Sequence, residues 1–389
     1  MTNNNMYFIA NWKMFGTVKS VNSLNKVISY SKIKKHKANI IYCPPYTLIK
    51  SFVDKTKKSN IKIEEKTPKN GLFAFVSPYS FENKLEDTFE TIEMPQIDID
   101  ALLEEDFTAA PGTPERYGKR FYVNYSLENS GTWEILPDRD KVWRLRIISK
   151  NAFAMSLYYD HYSIPGGARL FVYNESREMV YGAYSSLNNQ EDGLFATPLM
   201  EGDVIILEYY EPREVDFTGS IVIGMVIHDY KDLLNFSKQR SPSNRCGTNV
   251  VCPEADPYLD QVNAGSWLDM GGYICSGSMI NNARNDLTPY YMTAWHCTDG
   301  GNESTFKFYF NYETTTCEGP NASYGSYSYG SIQIATSGDV DPDFTLLEIT
   351  DEISSSWDDV FYAGWDRSSS PPTISCGIHH PGGDPKKIN

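Results

Sequence analysis

Long apolar runs are missing. No stretch of 18 apolar residues occurs in the 389, so no membrane-spanning helix is expected. Arginine is absent before Arg116, and the first 63 residues hold no Glu and a single acidic residue, Asp54. Cys43 stands alone in the first 245 residues, and no Cys-x-x-Cys pair occurs anywhere, which removes the common zinc-finger spacings. Tyr7-Phe8-Ile9-Ala10 is too short for the apolar part of a secretory leader, and no such pattern precedes Glu64. Excess positive charge is missing too: the net charge of −15 argues against a general nucleic-acid binder.

What is present is ordinary in bulk. Hydrophobic residues at 41% and charged residues at 22% fit a globular protein, and the length suggests two or three domains. The 14% aromatic content has the look of β-rich extracellular modules. Charge is divided unevenly: residues 1–63 carry twelve Lys against Asp54, a net of +11, which leaves −26 on the remaining 326. Such an asymmetry suits a polyanion-binding tail, but these residues are patterned as secondary structure and read as part of a separate domain.

In that first piece, Tyr7–Ala10, Asn39–Tyr42 and Ile61–Ile63 read as short buried strands. Val21, Leu24, Val27 and Ile28, then Leu48, Ile49, Phe52 and Val53, recur at helical spacing between them. The order is βαβαβ, the repeat of a parallel α/β fold. Ala10-Asn11-Trp12-Lys13-Met14 and Cys43-Pro44-Pro45-Tyr46 resemble the start of triosephosphate isomerase. The resemblance implies that Asn11 and Lys13 correspond to substrate-binding residues at the mouth of a TIM barrel. It stops near Ile63. Barrel closure needs eight βα units, and about two leave an open sheet edge, so isomerase activity is not expected of this piece.

Residues 64–115 are acidic and poorly periodic. Their carboxylates, from Ile97-Asp98-Ile99-Asp100 to Asp106, lack the spacing of a calcium loop, and the stretch reads as a solvated linker ending at Pro111-Gly112-Thr113-Pro114. Residues 116–240 read as all-β, with strands around Val142–Ile147, Ala168–Asn174, Val204–Tyr210 and Ile221–Val226, a spacing that suggests a β-sandwich. His161 and His228 lie singly near strand ends and read as structural. The order of these strands resembles the pro-region of secreted lysyl endopeptidase-like serine proteases.

Six of the seven cysteines fall in 246–389, which suggests disulfides and an oxidising compartment. Cys275-Ser276-Gly277-Ser278, then Thr293-Ala294-Trp295-His296-Cys297, then Asp343-Phe344-Thr345-Leu346-Leu347 resemble the first half of a chymotrypsin-like active site. A general-base His must be held beside its nucleophile, and an Asp must orient its ring. The resemblance implies these roles for His296 and Asp343, with Asp341 the alternative. Asn249–Glu254, Phe310-Asn311-Tyr312, Ala363–Arg367 and Ile378-His379-His380-Pro381 narrow the resemblance, over about 246–389, to lysyl endopeptidase. It implies the disulfides Cys252–Cys317 and Cys275–Cys297, a partner late in a second barrel for Cys246, and pro-region cleavage near Arg240-Ser241. Cys376 departs from the family pattern and is a candidate partner for Cys246. His379 and His380 point to opposite faces of a strand, so shared metal ligation is not expected.

No Gly-x-Ser-Gly motif follows His380. Triad members act as a unit, so the chain is expected to be inactive, lacking the Ser and the second barrel. The expected fold is mainly β: a β-sandwich-like pro-region (116–240) and the first β-barrel of a chymotrypsin-like fold (241–389). An acidic linker (64–115) and a βαβαβ fragment of a TIM barrel (1–63) precede them. The whole reads as a chimera of serine endopeptidase lineage. The alternatives are triose-phosphate isomerisation by the first piece and a non-catalytic secreted β-rich binding module. The expected partner is a peptide or protein substrate, with neither nucleic acid nor membrane and no cofactor or metal. The resemblance implies secretion, whereas the absence of a leader points to the cytoplasm.

Overall fold

The computed structural model describes residues 6–11, 38–43, 62–63, 77–110, 112–233, 247–318, 327–338, 341–351, 360–368, 370 and 373–389. The described residues are mainly β, and the chain divides into two compact units, 1–82 and 83–389. In the first unit the strands Met6–Asn11, Ala38–Cys43 and Lys62–Ile63 form a parallel sheet in sequence order. The helices expected between them lie outside the described residues.

The second unit begins with two sheets that share one core. One runs in the order Val180–Tyr184, Arg169–Asn174, Val204–Glu211, Lys141–Ile148, Thr91–Glu93, with Thr132–Ile135 also on Lys141–Ile148. The other runs Phe195–Ala196, Ala154–Ser163, Ser220–Asp229, Gly118–Ser126. Trp143, Leu145, Ile147, Val172 and Leu207 of the first meet Met155, Leu157, Tyr159, Ile223 and Val226 of the second. Each such side chain, fully buried, stabilises the fold by about 1.5–3 kcal/mol before entropy is counted. The strand Lys141–Ile148 does not alternate cleanly, because Arg144 is buried as well. Its guanidinium lies over the Phe89 ring and pairs with Glu134, so the charge is matched where alternation alone would place it in water.

Part of the acidic stretch expected as a linker is built into this unit. Thr91–Glu93 adds a parallel strand to Arg146–Ile148. The helix Ile99–Phe107 is capped by Asp98, whose carboxylate accepts from the Ala101 N–H, and buries Leu102. Asp106 and Glu105 pair with Arg116, and Asp106 also with Lys231. Those counter-charges come from up to 125 residues away, which local periodicity cannot reveal.

The remaining large sheet runs Tyr327–Tyr329, Lys307–Tyr309, Gly265–Asp269, Tyr273–Ile280, Tyr290–Thr293, Thr345–Ile349, Ser331–Thr336. Its first and last members are consecutive in the chain, separated by Gly330 alone. The sheet must therefore curl until its ends meet. Gly330 has φ +79°, and an added Cβ would lie 2.8 Å from Thr350 Oγ1, so both conformation and space select glycine. Leu268, Met279, Tyr291, Phe308 and Leu347 fill the interior. Glu115–Arg116 adds a further short strand on Tyr273–Ile274.

Candidate active site

The strand Tyr290–Thr293 delivers the chain to Ala294 and the one-turn helix Trp295–Thr298. Three ties fix that turn. Thr293 Oγ1 donates to the Ser276 carbonyl at 2.9 Å, and Cys297 is joined to Cys275 on the neighbouring strand, with a Cα–Cα separation of 6.1 Å. Thr298 Oγ1 lies 2.9 Å from Thr345 Oγ1, linking the turn to the strand that follows Asp343.

His296 and Asp343 meet across this frame. Asp343 Oδ1 accepts the His296 backbone N–H at 3.0 Å, and Oδ2 lies 2.5 Å from the ring Nδ1. One carboxylate thus fixes both the main chain and the ring of the histidine. The backbone N–H of His296 and then its ring hold the Asp343 carboxyl below the usual carboxylate range. The side chains are 38% and 44% exposed, so solvent reaches both. With Nδ1–H donated to a carboxylate, Nε2 is left as a lone-pair acceptor. Of the two candidate carboxylates, it is Asp343 rather than Asp341 that reaches His296.

The other histidines sit differently. His380 is buried; its Nδ1 donates to the Asp384 carbonyl at 3.0 Å and its ring stacks on Tyr312. Burial, with Lys386 close by, keeps it neutral, well below the ordinary histidine range. His379 is half-buried on Ile378–His379, and burial lowers it too. His228 Nδ1 lies 2.7 Å from Ser149 Oγ, and burial brings it down to about 4. His161 is exposed on Ala154–Ser163. None of these four is brought to the His296–Asp343 pair by a hydrogen bond.

Cys252 is bonded to Cys317 across 65 residues, and Cys376 is free and exposed. Cys246 and Lys13 lie outside the described residues, and Asn11 ends the first strand of the parallel sheet. A further pair escaped the sequence reading. Lys307 and Asp269, both fully buried, lie 3.1 Å apart. Each is a lone charge beside large apolar residues, in Trp267-Leu268-Asp269 and Lys307-Phe308-Tyr309, and nothing in those strings pairs one with the other.

Residues 241–389 match the family model described as lysyl endopeptidase, C-terminal domain. The lysyl endopeptidase of Pseudomonas aeruginosa is 27% identical over 216 residues, covering 50% of this chain and 45% of that protein. The chain thus spans less than half the length of this curated relative. Residues 6–68 match the triosephosphate isomerase family model. The His296–Asp343 pair and both disulfides fall inside the lysyl endopeptidase-like stretch.

Proposed function

We infer that residues 241–389 carry the general-base half of a serine endopeptidase site acting on peptide or protein substrates. The two-point grip of Asp343 on the backbone and ring of His296 carries this reading. In such a site, His296 Nε2 takes the proton of a serine hydroxyl as that oxygen attacks the peptide carbonyl. It then passes the proton to the leaving amine. Asp343 keeps Nδ1 protonated and stabilises the imidazolium between the two transfers. In this reading the curled sheet is the first barrel of a chymotrypsin-like fold, and the two-sheet layer before it is a pro-region. The two disulfides favour a secreted, oxidising setting.

The base half needs a hydroxyl at Nε2, and no Gly-x-Ser-Gly motif occurs in the 389 residues. We therefore expect the 389-residue polypeptide alone not to turn over a lysyl ester. Steady release of alcohol that disappears in His296→Ala would overturn the expectation of inactivity. The dyad itself is read separately: a low-field proton resonance from His296 Nδ1 is expected, and it should vanish in Asp343→Ala. The match of residues 6–68 to triosephosphate isomerase supports a second reading, triose-phosphate isomerisation by the first piece with Asn11 and Lys13 as the surviving parts of its substrate site. Conversion of glyceraldehyde 3-phosphate by the purified chain would establish it.

A further inference from the structure

Cys275, His296 and Cys297 form a cluster in which one ligand atom from each lies within 4.8 Å of the others. The structure holds the two sulfurs as a disulfide, a form in which neither is a thiolate and neither binds a metal strongly. We propose that reduction converts this cluster into a Zn²⁺ site, with Cys275 and Cys297 thiolates and His296 as three ligands and an open fourth position. The proposal stands whether or not His296 serves a protease.

Three features carry it. Two thiolates and an imidazole are the donor set that selects Zn²⁺ among abundant divalent ions. Zn–S bonds of about 2.3 Å at tetrahedral angles place the sulfurs about 3.8 Å apart, so the two sulfurs, bonded to each other in the disulfide, need only part by a small side-chain rotation once that bond is cut. The second partner of the ligand is also in place: Asp343 Oδ2 lies 2.5 Å from His296 Nδ1. A carboxylate behind a histidine fixes the tautomer and ring direction of metal-binding histidines. Cys297 is buried, while Cys275 and His296 are partly open, so an ion has a path in.

The chemistry balances with an external reductant. A trialkylphosphine gives two electrons and becomes its oxide, with water supplying the oxygen and the two protons. The S–S bond breaks and two S–H bonds form. Capture of Zn²⁺ then releases both thiol protons to solvent. A metal on His296 occupies the lone pair that general-base chemistry needs, so the same residues have a disulfide state with a free base and a reduced state with a blocked one.

The test uses the full chain, oxidised or treated with a trialkylphosphine, titrated with Co²⁺ as the spectroscopic probe and then with Zn²⁺ in competition. The expected result is a thiolate-to-cobalt charge-transfer band with tetrahedral visible bands. It should saturate at one equivalent in the reduced chain and be absent from the oxidised one. Removing Cys252 and Cys317 should leave the band intact, and Cys275→Ser with Cys297→Ser should abolish it. Asp343→Ala should weaken affinity by about 10–100-fold, and His296→Ala by at least as much. An unchanged band in the Cys275/Cys297 variant, or no band in the reduced parent, overturns the proposal. If that variant fails to fold, X-ray absorption on the Zn²⁺-loaded parent decides: two sulfurs and at least one nitrogen support the site, and four sulfurs overturn it.

Discussion

A histidine–carboxylate pair and a lysine–carboxylate pair in the second unit have similar reach and opposite surroundings. His296–Asp343 lies on an open rim, where both side chains keep more than a third of their surface in water. Lys307–Asp269 is sealed, with neither side chain exposed. Asp269 also accepts from Tyr117 OH at 2.8 Å and from the Gly271 N–H, while the Lys307 ammonium donates to Tyr158 OH and to the Thr197 carbonyl. The Tyr117, Tyr158 and Thr197 partners belong to the two-sheet layer; Asp269 and Lys307 belong to the curled sheet. The sealed pair therefore ties two layers together, and around it Trp267 and Tyr309 stack in one apolar cluster with Tyr117, Tyr158 and Leu199. A buried charge pair fixes architecture because breaking it strands a charge, whereas an exposed pair can exchange a proton and meet a substrate at little structural cost.

The sharpest way to break that contrast is Lys307→Met. It leaves Asp269 ionised and buried without its cation, and should destabilise the second unit by about 3–5 kcal/mol in urea titration. Pairing it with Asp269→Leu should recover part of the loss, though the hydroxyls of Tyr117 and Tyr158 then lack a partner. Next in size is the rim's covalent tie. Cys275→Ser with Cys297→Ser releases a loop of 22 residues and should cost about 3 kcal/mol on the chain-entropy estimate, again read by urea.

A third effect separates buried from exposed histidines by pH. His228 titrates at about 4 in the fold, against an ordinary 6.5, because burial disfavours its charged form. Above pH 6.5 the residue is neutral in both states and adds no pH dependence. Between 6.5 and about 4 the unfolded chain takes up the proton first, so stability should fall as pH falls through that window. His228→Gln should flatten this slope in urea midpoints measured from pH 7 to 5. The smallest change is expected at the rim. Asp343→Asn should alter global stability by no more than about 1 kcal/mol while changing the His296 ring-proton signal. A loss as large as that of Lys307→Met would erase the distinction.

The rim pair was legible because its chemistry is written in two short strings, Thr293–Cys297 and Asp343–Leu347, each bound to a strand whose pattern is plain. The sealed pair was not. Asp269 and Lys307 are 38 positions apart, and a lone charge near a strand end ordinarily faces water. Only the docking of Tyr117 and Tyr158 from another layer makes burial tolerable, and no local pattern encodes that docking. The same holds for the acidic stretch. Asp98, Asp100, Glu104 and Glu105 are exposed, as a solvated stretch would be, but Asp106 is drawn in by Arg116 and Lys231, counter-charges that tertiary structure supplies. The long strands Lys141–Ile148, Val204–Glu211 and Ser220–Asp229 were visible from β-branched and aromatic runs, whereas two-residue strands such as Glu115–Arg116 carry too few side chains to show a period.

Gly330 has a mechanical consequence. Its N–H donates to the Phe306 carbonyl and its carbonyl accepts from the Thr350 N–H, stitching the strand before it and the strand after it into one seam. Neither flank can peel away without dragging the other. Amide hydrogens of Tyr327–Tyr329 and Ser331–Thr336 should therefore be released to deuterium in a single joint opening, and a bulky side chain wedged at that stitch should let the two flanks unzip on separate clocks.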